Sequence, residues 1–157
     1  MPPMDWCLVR PLSMLWRMES NENKRLLQHV YSEMAKGNSH PFLECLADDV
    51  HWTVLGTTKW SRTYAGKEAV LRDLIAPLRS KFGTPYKAAA LRLIAEGDFV
   101  VVEVRGDVMT KSNIPYNNAY CFVYRFAEGK VRELVEYADT ELVTRVLGDP
   151  REALRPG

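Results

Sequence analysis

The sequence predicts an α+β fold: a strongly curved antiparallel sheet, closed at one end by three helices from the N-terminal half, forming a cone around a pocket. Three observations predict it. Apolar residues recur with helical spacing through most of residues 20–82. From Tyr86 onward the period changes to two, and four strand-like runs follow one another, joined by short turns. Helices gathered at one end of a meander are an α+β layout, and a long curved sheet capped by helices encloses a concave site.

The elements follow in order. Residues 20–36 predict a helix, with Ser20 or Asn21 as cap and Leu26, Leu27, Val30, Tyr31 and Met34 as its apolar stripe. Gly37 and Asn38 stop it. Residues 41–47 predict a short second helix opened by Pro41, with Phe42 and Leu46 facing the core. Residues 50–55 alternate as a strand, placing Val50, Trp52 and Val54 on one face and His51 and Thr53 on the other. Residues 56–65 read as a loop with room for a short strand. The third helix starts at Gly66 or Lys67 with Val70, Leu71, Leu74, Ile75, Leu78 and Phe82 as its stripe, and Pro77 divides it. Strands are predicted over 86–95, 99–110, 116–126 and 131–139, and Thr140 caps a final helix carrying Leu142, Val143, Val146 and Leu147.

Length and composition bound the rest. A chain of 157 residues fits one domain with a real core, placed here at 20–148 between a disordered tail at 1–19 and a second tail at 149–157. A net charge of +1 without a basic run argues against nucleic acid as a partner. No apolar run is long enough for a membrane helix. Asp5 and Arg10 break the pattern of a secretory signal. Cys7, Cys45 and Cys121 are scattered, which predicts neither a disulfide framework nor, with His29, His40 and His51, a metal site; the expected setting is the cytoplasm.

Two strands carry the candidate chemistry. On 99–109, alternation puts Glu103, Arg105 and Asp107 on one face and Val100, Val102, Val104 and Val108 on the other. The charged face is a plain solvated surface if it turns outward, and a cluster suited to acid–base work if it lines the cone. On the last strand Glu136 shares a face with Leu134 and Ala138, a carboxylate on a half-apolar surface; a structural ion pair with Arg105 is its alternative role. Asn118, Tyr120, Phe122, Tyr124 and Phe126 share one face of the strand before it. Rings with polar tips suit a flat or polycyclic ligand, although aromatics also favour strands for packing alone. Trp52 and Trp60 carry the same two readings.

The pieces "LADDVHWTV", "YAGKEAV" and "EGKVRELVEYADTELV" together resemble the SnoaL-like polyketide cyclases and ketosteroid-isomerase-like proteins of the NTF2-like superfamily, over roughly residues 22–147. The resemblance implies the cone fold, a deep pocket for a small hydrophobic ligand, homodimers and no cofactor. It carries residues over in two ways. The cyclase pattern places its acid–base carboxylate at Glu136, with Asp139 as the following acid. The pattern of limonene-epoxide-hydrolase-like proteins places an R-x-D at Arg105 and Asp107, and its last-strand acid again at Glu136. Val54 falls where that hydrolase holds water and where the ketosteroid isomerases hold their base, so both reactions fit less well. The expected site is therefore Glu136, Asp107 and Arg105 as catalytic groups, with Trp52, Tyr31, Asn118, Tyr120, Phe122 and Glu103 against the substrate. The expected function is acid–base catalysis of the cyclase, isomerase or dehydratase type on a hydrophobic or polyketide-like substrate. Epoxide hydrolysis and a non-catalytic ligand-binding or dimerisation domain are its alternatives.

Overall fold

The computed structural model describes residues 12–151. Its elements run α1 (Leu12–Met34), α2 (His40–Cys45), β1 (Leu46–Val54), β2 (Thr63–Ala65), a helix in three segments, then β3 (Lys87–Glu96), β4 (Phe99–Asp107), β5 (Ala119–Ala127), β6 (Lys130–Ala138) and α5 (Thr140–Leu147). The segmented helix is α3 (Lys67–Ala69), a π-helical stretch (Val70–Ile75) and α4 (Ala76–Lys81). Pro77 explains the segmentation: it has no amide proton to continue the ladder, and it sits in the first turn of α4, where none is needed.

α1 begins well before Ser20, which is buried within it. Leu, Met, Arg and Glu between Leu12 and Glu19 are good helix formers, so the helix runs past its expected cap. Of the tail expected at 1–19, residues 12–19 are helical and residues 1–11 lie outside the described residues. Residues 152–157 of the other expected tail lie outside them as well, while Asp149 is tied to Lys59 at 3.2 Å and to Arg151 at 2.8 Å. Among the described residues no helix is long and apolar enough to cross a membrane.

The six strands form one sheet in the order β2-β1-β6-β5-β4-β3. β3 to β6 are the expected antiparallel meander. β1, however, pairs with β6 in parallel, so the sheet is mixed rather than antiparallel throughout. The reason is topological: the chain leaves β1 for β2 and the segmented helix, and returns to the far edge at β3. The meander then brings β6 back against β1 with the same direction.

Alternation decides which side of the sheet is covered. Val100, Val102 and Val104 of β4, Tyr124 of β5, Leu134 of β6 and Trp52 of β1 are buried in one core with Leu27, Val30 and Tyr31 of α1. Fully burying each aliphatic side chain contributes roughly 1.5–3 kcal/mol, so this one face holds the helices to the sheet. α5 closes the end of the cone, with Val143 and Leu147 buried and the Trp60 indole donating to the Gly148 carbonyl at 2.9 Å.

Candidate active site

The covered face of the sheet does not fill completely. Between it and the helices lies a cavity of about 120 Å³, on the scale of the ~150 Å³ that admits a benzene molecule. That is room for about one ring, less than the polycyclic ligand expected from the aromatic strand. Its walls are almost wholly apolar, with Phe42, Leu74, Ala88 and Phe122 among them. Most wall residues that keep surface exposure, Ser39, Leu43, Ile75, Leu78, Arg79, Phe82 and Tyr86, come from α2 and its approach, from the segmented helix and from the segment after it, so the cavity opens on that side. The Arg79 guanidinium spans this mouth and donates to Ser39 Oγ at 2.9 Å.

One carboxyl group stands in this wall. β6 places Glu136 between Val54 of β1 and Phe122 of β5 in the sheet register. Glu136 keeps some accessible surface, but that surface belongs to the cavity. Trp52, two residues before Val54 on the same face of β1, donates its indole N–H to Glu136 Oε2 at 2.9 Å. Among the described residues that is the one side-chain hydrogen bond Glu136 makes, and Oε1 is left to the cavity. Burial without a cation raises the Glu136 pKa from 4.5 to about 7, and the Trp52 hydrogen bond works against the rise. At neutral pH the group is present in both protonation states, the condition for giving or taking a proton.

Deeper than Ser39 and Arg79, phenols supply most of the remaining polar lining. Tyr31 of α1 shares a 2.5 Å hydrogen bond with Tyr124. Tyr120 stacks on Phe122 at 5.2 Å and donates to the Tyr116 hydroxyl at 3.4 Å. Tyr86 and Tyr116 both stack on Phe82. Burial raises the pKa of Tyr31, Tyr86, Tyr120 and Tyr124, and takes Tyr116 to about 12, so all stay protonated donors at neutral pH.

The structure thus brings Glu136, Trp52, Tyr31, Tyr120 and Phe122 to one cavity. It does not bring the charged residues of β4 there. Val100, Val102 and Val104 take the covered face, so alternation turns Glu103, Arg105 and Asp107 to the outer one. There Glu103 lies 3.5 Å from Arg92, and Arg105 and Asp107 are exposed. The catalytic roles expected for Arg105 and Asp107, and the substrate contact expected for Glu103, are corrected accordingly: the outward reading of that strand holds. Asn118 is fully buried but stands behind the wall, bonded to Tyr116 and Asp139. Asp139 caps α5 through Oδ1, in the place expected for Thr140. Sequence reasoning missed Tyr86 and Arg79, and it placed Tyr116 on the pocket strand without assigning it to the face of Asn118, Tyr120 and Phe122, although period two extends to it.

The sequence matches the model of the SnoaL-like domain over residues 27–134. No curated protein sequence matches the chain. Solved structures are similar in fold. An NTF2-like protein of unknown function from Burkholderia pseudomallei K96243 is 20% identical, over 80% of this chain and 97% of that one, with a TM-score of 0.69. A candidate SnoaL-like polyketide cyclase from Jannaschia sp. CCS1 is 16% identical, over 87% and 95%, with a TM-score of 0.67. An LEH-like epoxide hydrolase of M. tuberculosis is 17% identical, over 82% and 91%, with a TM-score of 0.62. With the family model covering most of its length, the chain belongs to the SnoaL-like family and carries the NTF2-like fold.

Proposed function

We propose that this protein is an acid–base enzyme acting on a small hydrophobic molecule, with Glu136 as the group that moves the proton. The observation that carries the proposal is the placement of Glu136: an acid with a pKa of about 7, inside an apolar cavity, held by the Trp52 N–H through one oxygen and free at the other. In its ionised form Glu136 takes a proton from a carbon next to a carbonyl group. The electron pair of the broken C–H bond moves onto the carbonyl oxygen, and Glu136 returns the proton to another atom of the same molecule. Isomerisation, aldol-type cyclisation and dehydration all contain that step. The candidate cyclase among the similar structures agrees with this class. Epoxide hydrolysis gains less support, because Arg105 and Asp107 face away from the cavity.

The test uses a one-ring ketone with exchangeable α-hydrogens, acetophenone, in deuterium oxide. Wild type is expected to speed α-hydrogen exchange, followed by proton NMR, and Glu136→Gln to lose at least a hundredfold of it. Equal acceleration by both proteins would move Glu136 to a purely structural role, and exchange at the uncatalysed rate with both would leave the domain as a non-catalytic binder.

The homodimer belongs to this proposal too. On the outer face Ile94, Val101, Val123 and Val135 pair in one row across β3 to β6, and Ile94 is 57% exposed. A second copy would cover this row. Sedimentation should give a dimer for wild type and a monomer for Val123→Lys.

A further inference from the structure

Among the described residues one cation lines the cavity: Arg79, in the last turn of α4. It shares the wall with Ile75 and Leu78 and is exposed at the mouth, the usual division of a long basic side chain between apolar and wet surroundings. A guanidinium carries five N–H donors and no acceptor. One donor goes to Ser39 Oγ at 2.9 Å, and among the described residues no other group takes the rest. Arg72, Arg125 and Arg132, by contrast, each hold a carboxylate within 2.8 Å. Ser39 is equally unmatched. It stands at the N-cap position of α2, where a serine oxygen ordinarily accepts a helix amide. Here it caps nothing, its oxygen receives the Arg79 proton, and its own hydroxyl proton has no acceptor among the described residues. The mouth thus gathers donors and a positive charge. The one acid of the lining, Glu136, stands apart from them: burial and the Trp52 bond set its pKa, with nothing from Arg79.

We infer that the ligand of this cavity is a small hydrophobic carboxylate, whose charged group takes hydrogen bonds from Arg79 and Ser39 at the mouth while its apolar body lies inside, with the far end at Glu136. A carboxylate matches the planar fork of a guanidinium with two parallel bonds. Charge also fixes the orientation. Two carboxylates sharing the apolar depth of the cavity would repel each other, so the ligand's stays at the mouth and its uncharged end meets Glu136. Arg79 is then a specificity-determining residue and takes no part in moving the proton. The inference rests on the cavity being the ligand site, as in the reading above, and gives that ligand a chemical class and a direction.

The test compares two probes of the same shape by calorimetry at pH 8, 4-phenylbutanoate and its neutral amide, 4-phenylbutanamide. Each offers one ring to the cavity and a flexible chain to reach the mouth. Wild type is expected to bind the carboxylate about fivefold more tightly at low salt, the scale of an ion pair open to water on one side. Raising the salt to about 0.5 M should cut the preference to about twofold. Arg79→Gln should bind the two probes equally, with its affinity for the amide unchanged. A wild type that binds both probes equally, or neither, overturns the inference. So does a preference that survives Arg79→Gln, or a variant that loses both probes together, since a merely structural arginine would act on both. The NMR signal of the Arg79 Nε–H gives a second measurement that needs no variant. It should move when 4-phenylbutanoate is added to wild type and stay in place with the amide; the same response to both overturns the subsite. Glu136→Gln keeps the two proposals apart: it should abolish α-hydrogen exchange of acetophenone while keeping the carboxylate preference. Exchange without the preference overturns this inference alone, and the preference without exchange overturns the catalytic reading alone.

Discussion

At the scale of the residue, the consequences concentrate on Glu136. Its folded-state pKa of about 7 lies above its ordinary value of 4.5, so the folded protein binds more protons than the unfolded chain between these values. Stability therefore falls as pH rises through that window, and the deficit is complete above it. The shift corresponds to about 3 kcal/mol. Glu136→Gln cannot ionise and still offers an oxygen to Trp52. Urea denaturation should find it more stable than wild type by up to about 3 kcal/mol at pH 8, with that gain gone at pH 4. Trp52→Phe removes the only donor that, among the described residues, holds the Glu136 pKa down. The rising limb of the exchange rate with pH should then move up by about one unit. Gly106 is a third sensitive position. A Cβ there would stand 3.0 Å from the Tyr86 hydroxyl and 3.2 Å from a Tyr120 ring carbon. Gly106→Ala should displace these phenols and cost about 1–3 kcal/mol by thermal denaturation.

At the scale of the element, the strands that were easiest to read are those whose alternation is undisturbed. On β1 the buried face of Val50, Trp52 and Val54 and the open face of His51 and Thr53 stand as the pattern places them. On β6 the same rule grouped Glu136 with Leu134 and Ala138, and the burial of Leu134 is what places that group on the covered face. On β4 periodicity divided the residues correctly but could not say which half faced inward. Only the packing of Val100, Val102 and Val104 against the core decides that, and a carried-over motif had pointed Arg105 and Asp107 the wrong way. Asn118 shows a related limit: its partner Asp139 is 21 residues away, a contact that no local pattern contains. The α5 cap offers a test at this scale. Asp139→Ala removes the oxygen that accepts from Glu141 and Leu142 and should cost about 1 kcal/mol. Amide exchange in α5 would quicken while the central strands kept their protection.

At the scale of the whole molecule, the cone is legible from the sequence because its two halves differ in period, and helices followed by a meander have few ways to cover one another. The volume of the cavity was not legible. It depends on how far the segmented helix and α5 stand off the sheet, and Leu74, Val143 and Leu147, which set that distance, look like ordinary core residues in the sequence. The direction of β1 escaped local reading for a similar reason, since its partner in the sheet is more than 80 residues away.

That parallel pairing has a consequence for how the protein comes into being. β6 is an interior strand, and it joins the first strand of the chain to the last-made part of the sheet. Contacts between such distant segments are slow to form, because a long loop must close before they repay its entropy. During synthesis the first strand has no parallel neighbour until residues 130–138 have left the ribosome. The carboxyl group proposed to do the chemistry is made on that same strand, so competence and structural closure arrive together, and no shorter nascent chain can have either.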